Sequence, residues 1–213
     1  MIIPSSVTSI GDFIVSKDTK LRKIVIPSNA PNIGKLDFQK FTSLTEFTIP
    51  LTVTRIYEKQ FDGCSSLKMI EIPSSITFIE KYAFCGCSSL NEITIPPSIT
   101  SIENGTFLNC KSLTTVNIQS SLTLIGFKAF DNCKSLIDIK IPSVKKIGFN
   151  AFQHCKSLKR IEILITQDIE IMIEFPKSFS IGLVGNSNTG KTCIVNRFTE
   201  NIFDENTIES IAA

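Results

Sequence analysis

The same 23-residue phrase begins seven times along the chain, at Ile3, Ile26, Ile49, Ile72, Ile95, Ile118 and Ile141. Its clearest copy, residues 72–94, reads IPSSITFIEKYAFCGCSSLNEIT. Self-similarity at a fixed period of 20–50 residues is the signature of a solenoid, in which each unit packs only on its neighbours. One unit of this size buries too little apolar surface to offset the cost of ordering its backbone. Stacking must supply the remainder, so the array is expected to be one cooperative object.

The apolar positions recur in every copy. The fifth holds Val7, Val53, Ile76, Ile99 and Val144, with Ala30 and Leu122 as variants. The eighth holds Ile10, Ile33, Ile56, Ile79, Ile102, Ile125 and Ile147, the last one residue early because copy seven has lost a residue. Phenylalanine holds the thirteenth (Phe38, Phe61, Phe84, Phe107, Phe130, Phe152), with Val15 in copy one. Leucine holds the nineteenth in all seven, from Leu21 to Leu158. Leu67, Ile70 and Ile72 end in strict alternation, which predicts a short strand. The proline that follows in six copies, Pro73 in this one, ends that strand because it has no N–H to pair. A second alternation around Ile76, Phe78 and Ile79 predicts another strand, and residues 84–87 are expected to form a tight helical turn. The expected architecture is a repeat solenoid, mainly β with short helical turns, its parallel strands stacked into a curved sheet.

Five of the seven cysteines (Cys64, Cys87, Cys110, Cys133, Cys155) share one repeat position. Locked to the period, they read as an internal ladder of small buried hydrophobes. Disulfide pairing is disfavoured because the N-terminus lacks the charged and apolar regions of a secretory signal. Cys85 and Cys87 are spaced wrongly for zinc, and the single histidine, His154, reads as a solvated turn residue.

These repeats resemble the BspA-like class of leucine-rich repeats, whose spelling is I-P-x-S-[VI]-T-x-I…F-x-x-C-x-S-L-x-x-I. The resemblance covers residues 3–162, seven copies, and implies an adhesion or protein-interaction module of the kind reported in bacteria and protists.

Charge argues against a polyanionic nucleic-acid partner. Residues 1–162 carry 19 Lys and Arg against 13 Asp and Glu, and residues 163–213 carry 3 against 7. The first is a mildly basic surface without a basic stripe or aromatic platforms on its strands. The exposed strand positions, among them Lys23, Glu46, Met69, Glu92, Thr115, Asp138 and Arg160, are expected to line the concave face, and no single sign dominates them. A mixed polar face suits a protein partner. No run of 18 apolar residues exists, so no membrane span is expected, and the chain is assigned to the cytoplasm. An array that starts inside a repeat, without a polar cap, is expected to continue upstream.

The period stops after Glu162. Ile169, Ile171, Ile173 and Phe175 alternate with polar or flexible residues and predict a strand that closes the solenoid. The chain is therefore divided into a solenoid (1–162), a capping strand and linker (163–177) and a last segment (178–213).

That last segment carries the one motif with chemistry. Residues 179–184, FSIGLV, read as a buried strand, and Gly185, Asn186, Ser187, Asn188, Thr189, Gly190, Lys191 and Thr192 follow as a complete G-x-x-x-x-G-K-[ST] phosphate loop, with Cys193 next. The glycines let backbone N–H groups converge on phosphate oxygens, Lys191 reaches the β and γ phosphates, and Thr192 offers a hydroxyl to Mg²⁺. A helix over about residues 191–199 would place its positive end at the anion.

GKTCIVNRFTENIF is similar to the first helix of a small GTPase of the Rab and Ras type. That resemblance implies GTP or GDP and Mg²⁺ as ligands, and as the second Mg²⁺ hydroxyl Ser210, which is in register, with the out-of-register Thr207 as the alternative. Asn188, where Rabs often have glycine, and Ser210 in place of threonine are departures. So is the lack, within residues 178–213, of the γ-phosphate-sensing aspartate-and-glycine motif, the water-orienting glutamine and the N-K-x-D base reader. The segment is an incomplete α/β phosphate-loop unit. The expected function is a protein-interaction scaffold carrying a GTP-binding-like segment, with a truncated GTPase or a surface adhesin as alternatives. Catalysis by this polypeptide is left open, with no residue assigned to it.

Overall fold

A computed structural model describes residues 20–27, 37–120 and 122–164, together with the backbone of short strands on either side of them. Every strand pairing is parallel, and the strands form two stacks. The first contains Lys23–Ile24, Glu46–Thr48, Met69–Glu71, Glu92–Ile95, Thr115–Ile118, Asp138–Ile141 and Arg160–Leu164. The second contains Asn32–Ile33, Arg55–Ile56, Phe78–Ile79, Ser101–Ile102, Leu122–Ile125 and Val144–Ile147. These are the two alternating segments of each phrase. The register equals the period: Ile93 faces Val116, and Ile102 faces Ile125, each 23 residues on.

Between the stacks lies the core. Phe38, Phe61, Phe84, Phe107, Phe130 and Phe152 are fully buried and form one column, with centroids 5.3–5.6 Å apart from rung to rung. Interplanar angles of 2–24° make these offset stacks, which the ring quadrupole favours over a face-to-face sandwich. Leucine and isoleucine columns run beside it, Leu67, Leu90 and Leu113 being wholly buried.

The expected helical turn is not a helix. Ala83, Cys85 and Cys87 donate their N–H groups to the carbonyls of Glu80, Tyr82 and Phe84 within the repeat. Between them Tyr82, Phe84 and Gly86 donate instead to Asn104, Thr106 and Leu108 of the next repeat, at 3.0, 2.9 and 2.7 Å. A helix would direct all of them to its own chain four residues back. Here every second one is turned along the stacking axis. The turn is kept open by left-handed residues at two fixed places, seen as Lys59, Tyr82 and Gly105 at one and Gly63, Gly86 and Asn109 at the other.

Beyond Leu164, Ile169–Ile171 pairs with Val144–Ile147, and Ser180–Val184 pairs with Arg160–Leu164 over five residues. The helix expected over about 191–199 is corrected, since Cys193–Val195 is a strand parallel to Ile169–Ile171. Two β-branched residues, Ile194 and Val195, favour that state once an open parallel edge is on offer. Among the described residues there is no helix at all.

Candidate interaction face and phosphate-loop segment

Alternation decides what the first stack presents. In Glu92–Ile95 and Thr115–Ile118 the isoleucines and Val116 point into the core, while Glu92, Thr94, Thr115 and Asn117 are exposed. The face assigned from the sequence is therefore solvent-facing, with Val25, Thr45 and Glu162 only half-exposed. Its charges pair: Lys23 with Glu46 of the next rung at 2.6 Å, and Glu162 at 3.6 Å both with Lys140 of the preceding rung and with Arg160 of its own strand. Met69 (61% exposed) and Ile137 (47%) stand among them, exposed apolar groups that the core does not use. A depression of about 620 Å³ opens where Thr115–Ile118, Asp138–Ile141 and Arg160–Leu164 end, lined by Asn117, Lys140, Pro142, Glu162 and Leu164. On the second stack, the Arg55 guanidinium lies 5.3 Å from the centre of the Phe78 ring and 3.1 Å from Glu80.

The cysteine ladder is internal, and it has a role that the sequence reading missed. Cys64, Cys87, Cys110, Cys133 and Cys155 each donate S–H to the backbone carbonyl of a phenylalanine in the preceding repeat, at 3.0–3.2 Å. Each thiol thus ties two rungs together through the carbonyl of Phe38, Phe61, Phe84, Phe107 or Phe130. Burial pushes the Cys64 thiol up to about 12 and raises Cys87, Cys110 and Cys133 as well. Protonated thiols of this kind are poor nucleophiles. Cys85, half-buried, is raised to about 12 by burial and by the neighbouring Asp62.

His154 does more than sit in solvent. Its Nδ1 lies 2.9 Å from Oδ1 of Asp131, a buried carboxylate of the preceding repeat that is 3.9 Å from Lys128 Nζ. Because copy seven has lost a residue, His154 stands at the place of Asn132 and not of Asp131, so the repeat alignment carried no signal for this contact. No group of three or more His, Cys, Asp and Glu side chains among the described residues is arranged to hold a metal ion.

Of the phosphate-loop assignments, Gly185, Asn186, Ser187, Asn188, Thr189, Gly190, Lys191 and Thr192 lie outside the described residues. Cys193 opens the strand Cys193–Val195. Ser210 falls within Ile208–Ile211, in register with Leu183 of Ser180–Val184. The structure thus brings the backbone at Ser210 beside the strand that leads into the loop.

The profile described as BspA type leucine rich repeat region (6 copies) matches residues 1–114 and, in an overlapping frame, 54–172. The chain belongs to the BspA-type leucine-rich-repeat family. No curated protein matches it. Among solved structures, this BspA-type chain is similar to a leucine rich cell surface protein of Faecalibacterium prausnitzii, at 25% identity and a TM-score of 0.64, over 87% of this chain and 65% of the other. A leucine-rich repeat protein of Bacteroides ovatus shares its fold at 23% identity and a TM-score of 0.60, over 84% and 58%. The leucine-rich repeat protein of T. pallidum is 29% identical with a TM-score of 0.53, over 65% and 72%. The chain spans about three fifths of the length of the first two. No described helix is long and apolar enough to cross a membrane.

Proposed function

We propose that this BspA-type solenoid is a protein-interaction scaffold and that the solvent face of its first strand stack is the binding surface. One observation carries this reading. Met69, on the strand Met69–Glu71, and Ile137, directly before the strand Asp138–Ile141, stand exposed there, although the core uses neither. Exposed apolar side chains rimmed by polar ones are typical of recognition surfaces. A photo-crosslinking residue at Asn117 is expected to capture a protein partner that the same residue at Asn104, on the turn side, does not. Ile137→Glu is expected to abolish that capture. Equal labelling from both positions would contradict the assignment.

We further propose that residues 185–192 are a phosphate loop by descent, with Lys191 and Thr192 as the groups facing phosphate and Mg²⁺ and Ser210 as a candidate second hydroxyl. What supports this is the complete motif directly after the strand Ser180–Val184. Residues 178–213 do not contain the other loops on which phosphoryl transfer depends. We therefore infer that residues 178–213 by themselves bind Mg·GTP weakly or not at all and do not hydrolyse it. The cytoplasm remains the proposed location. The surface-adhesin alternative draws support from the cell surface protein of F. prausnitzii, and cell fractionation separates the two.

A further inference from the structure

We propose that Lys111, Lys134 and Lys156 form a docking strip for a short acidic stretch of a partner polypeptide, a reading that deepens the scaffold function and rests on it. Each lysine directly follows a ladder cysteine: Cys110, Cys133 and Cys155. Ser135 donates its N–H to the Lys111 carbonyl at 3.1 Å, and Ser157 donates to that of Lys134 at 3.2 Å, so the three lysines occupy consecutive rungs. With rungs about 4.8 Å apart, the strip is about 10 Å long. All three side chains are exposed, and among the described residues none forms an ion pair.

Folding does not require these charges. The same place in the two preceding repeats holds Ser65 and Ser88. Like charges in direct register across neighbouring strands oppose stability, so the three lysines load the fold without helping it. What they create is a row of ammonium groups, each lysine followed in the chain by a serine: Ser112, Ser135 and Ser157.

The chemistry of the strip selects its occupant. An extended peptide places same-side carboxylates about 6.7 Å apart, so four or five acidic residues cover the row, and flexible lysine stems absorb the difference in spacing. Nucleic acid fits less well, because no aromatic side chain among the described residues stands at the strip for bases to stack on. Ten ångströms also engages only two or three phosphates.

Fluorescence anisotropy of labelled hexaglutamate with the full chain tests this, at about 50 mM and about 300 mM NaCl, where screening differs strongly. The K111S/K134S/K156S variant copies the chain's own serines at that place, and its unfolding midpoint is expected to stay at or above that of the parent. Its affinity for hexaglutamate is expected to fall about tenfold, three exposed pairs each being modest. S65K/S88K lengthens the row to five rungs and is expected to tighten binding, and high salt to abolish it. Failure of hexaglutamate to bind, binding that the triple variant leaves unchanged, or oligo-dT binding more tightly through the same lysines would overturn the proposal. Crosslinking from Asn117 is read separately, so losing the strip would leave the sheet-face assignment standing.

Discussion

Replacing Phe107 by alanine removes the centre of the aromatic column. Its ring is fully buried and stacks on Phe84 at 5.6 Å and on Phe130 at 5.3 Å. Truncating a buried phenylalanine costs about 3–5 kcal/mol, and a ring pair contributes about 0.5–1.5 kcal/mol beyond its area. With both ring faces in contact, Phe107→Ala belongs at the upper end, about 5 kcal/mol. Phe152 has one described ring neighbour, Phe130 at 5.3 Å. Phe152→Ala is therefore expected to cost less, about 3–4 kcal/mol. Urea unfolding followed by far-UV circular dichroism reads the difference. With a slope of about 2 kcal/mol per molar urea, the midpoint of Phe107→Ala is expected to move down by about 2.5 M, further than that of Phe152→Ala. A shift below about 0.5 M, or the reverse order of the two variants, would refute the stacked column as the main contributor to the core.

Three other outcomes follow from the geometry. The ladder thiols make stability fall at alkaline pH. In the unfolded chain a thiol ionises near 9.0, whereas Cys64 holds its proton to about 12. Above pH 9 the unfolded state thus binds fewer protons, and stability present below pH 9 declines by up to about 1.4 kcal/mol per pH unit per buried thiol as pH rises toward 12. A pH-independent urea midpoint from 8.5 to 10.5 would contradict this. Lys40 holds a left-handed backbone (φ 63°) at a place where other copies carry Gly63 and Gly86. Lys40→Gly is expected to stabilise the protein by about 0.5–1 kcal/mol in the same assay, and a loss would argue against backbone strain there. Calorimetric titration with Mg·GTP is expected to give no affinity in the micromolar range. Heat fitting micromolar binding, abolished by Lys191→Ala, would reverse that inference.

The interior was legible because the period repeats each buried position several times over. Phe84, Cys87, Leu90 and Ile93 were assignable to the core from their columns alone, and all four are buried. The turn was misread because F-x-x-C spacing resembles one helical face. Glycine and asparagine at Gly63, Gly86, Gly105, Asn109 and Asn132 were the contrary signal, since these residues tolerate the left-handed backbone that breaks a helix. The S–H bonds to phenylalanine carbonyls could not be read from the sequence, because they depend on how one rung is offset from the next. The lysine column was written in Cys-Lys-Ser three times over, yet it lies in the turns rather than on the strands where a binding face was sought. At the phosphate loop, a short apolar run that follows a motif supports helix or strand alike, and the strand Cys193–Val195 marks where pattern alone ran out.

Register is the claim on which every other assignment stands, and cysteine cross-linking measures it directly. Thr94 and Asn117 are paired neighbours on the exposed face of the first stack. Their Cα atoms, about 4.8 Å apart across parallel strands, fall within disulfide range, which ends near 6.8 Å. Thr115 points to the same face two residues away, about 8 Å from Thr94 by the same strand dimensions. In a Cys85→Ser background, mild oxidation is expected to bridge Thr94→Cys with Asn117→Cys, seen as a loss of about 2 Da, and to leave Thr94→Cys with Thr115→Cys as free thiols. Bridging of the second pair but not the first would place the repeats out of the 23-residue register and contradict the solenoid described above.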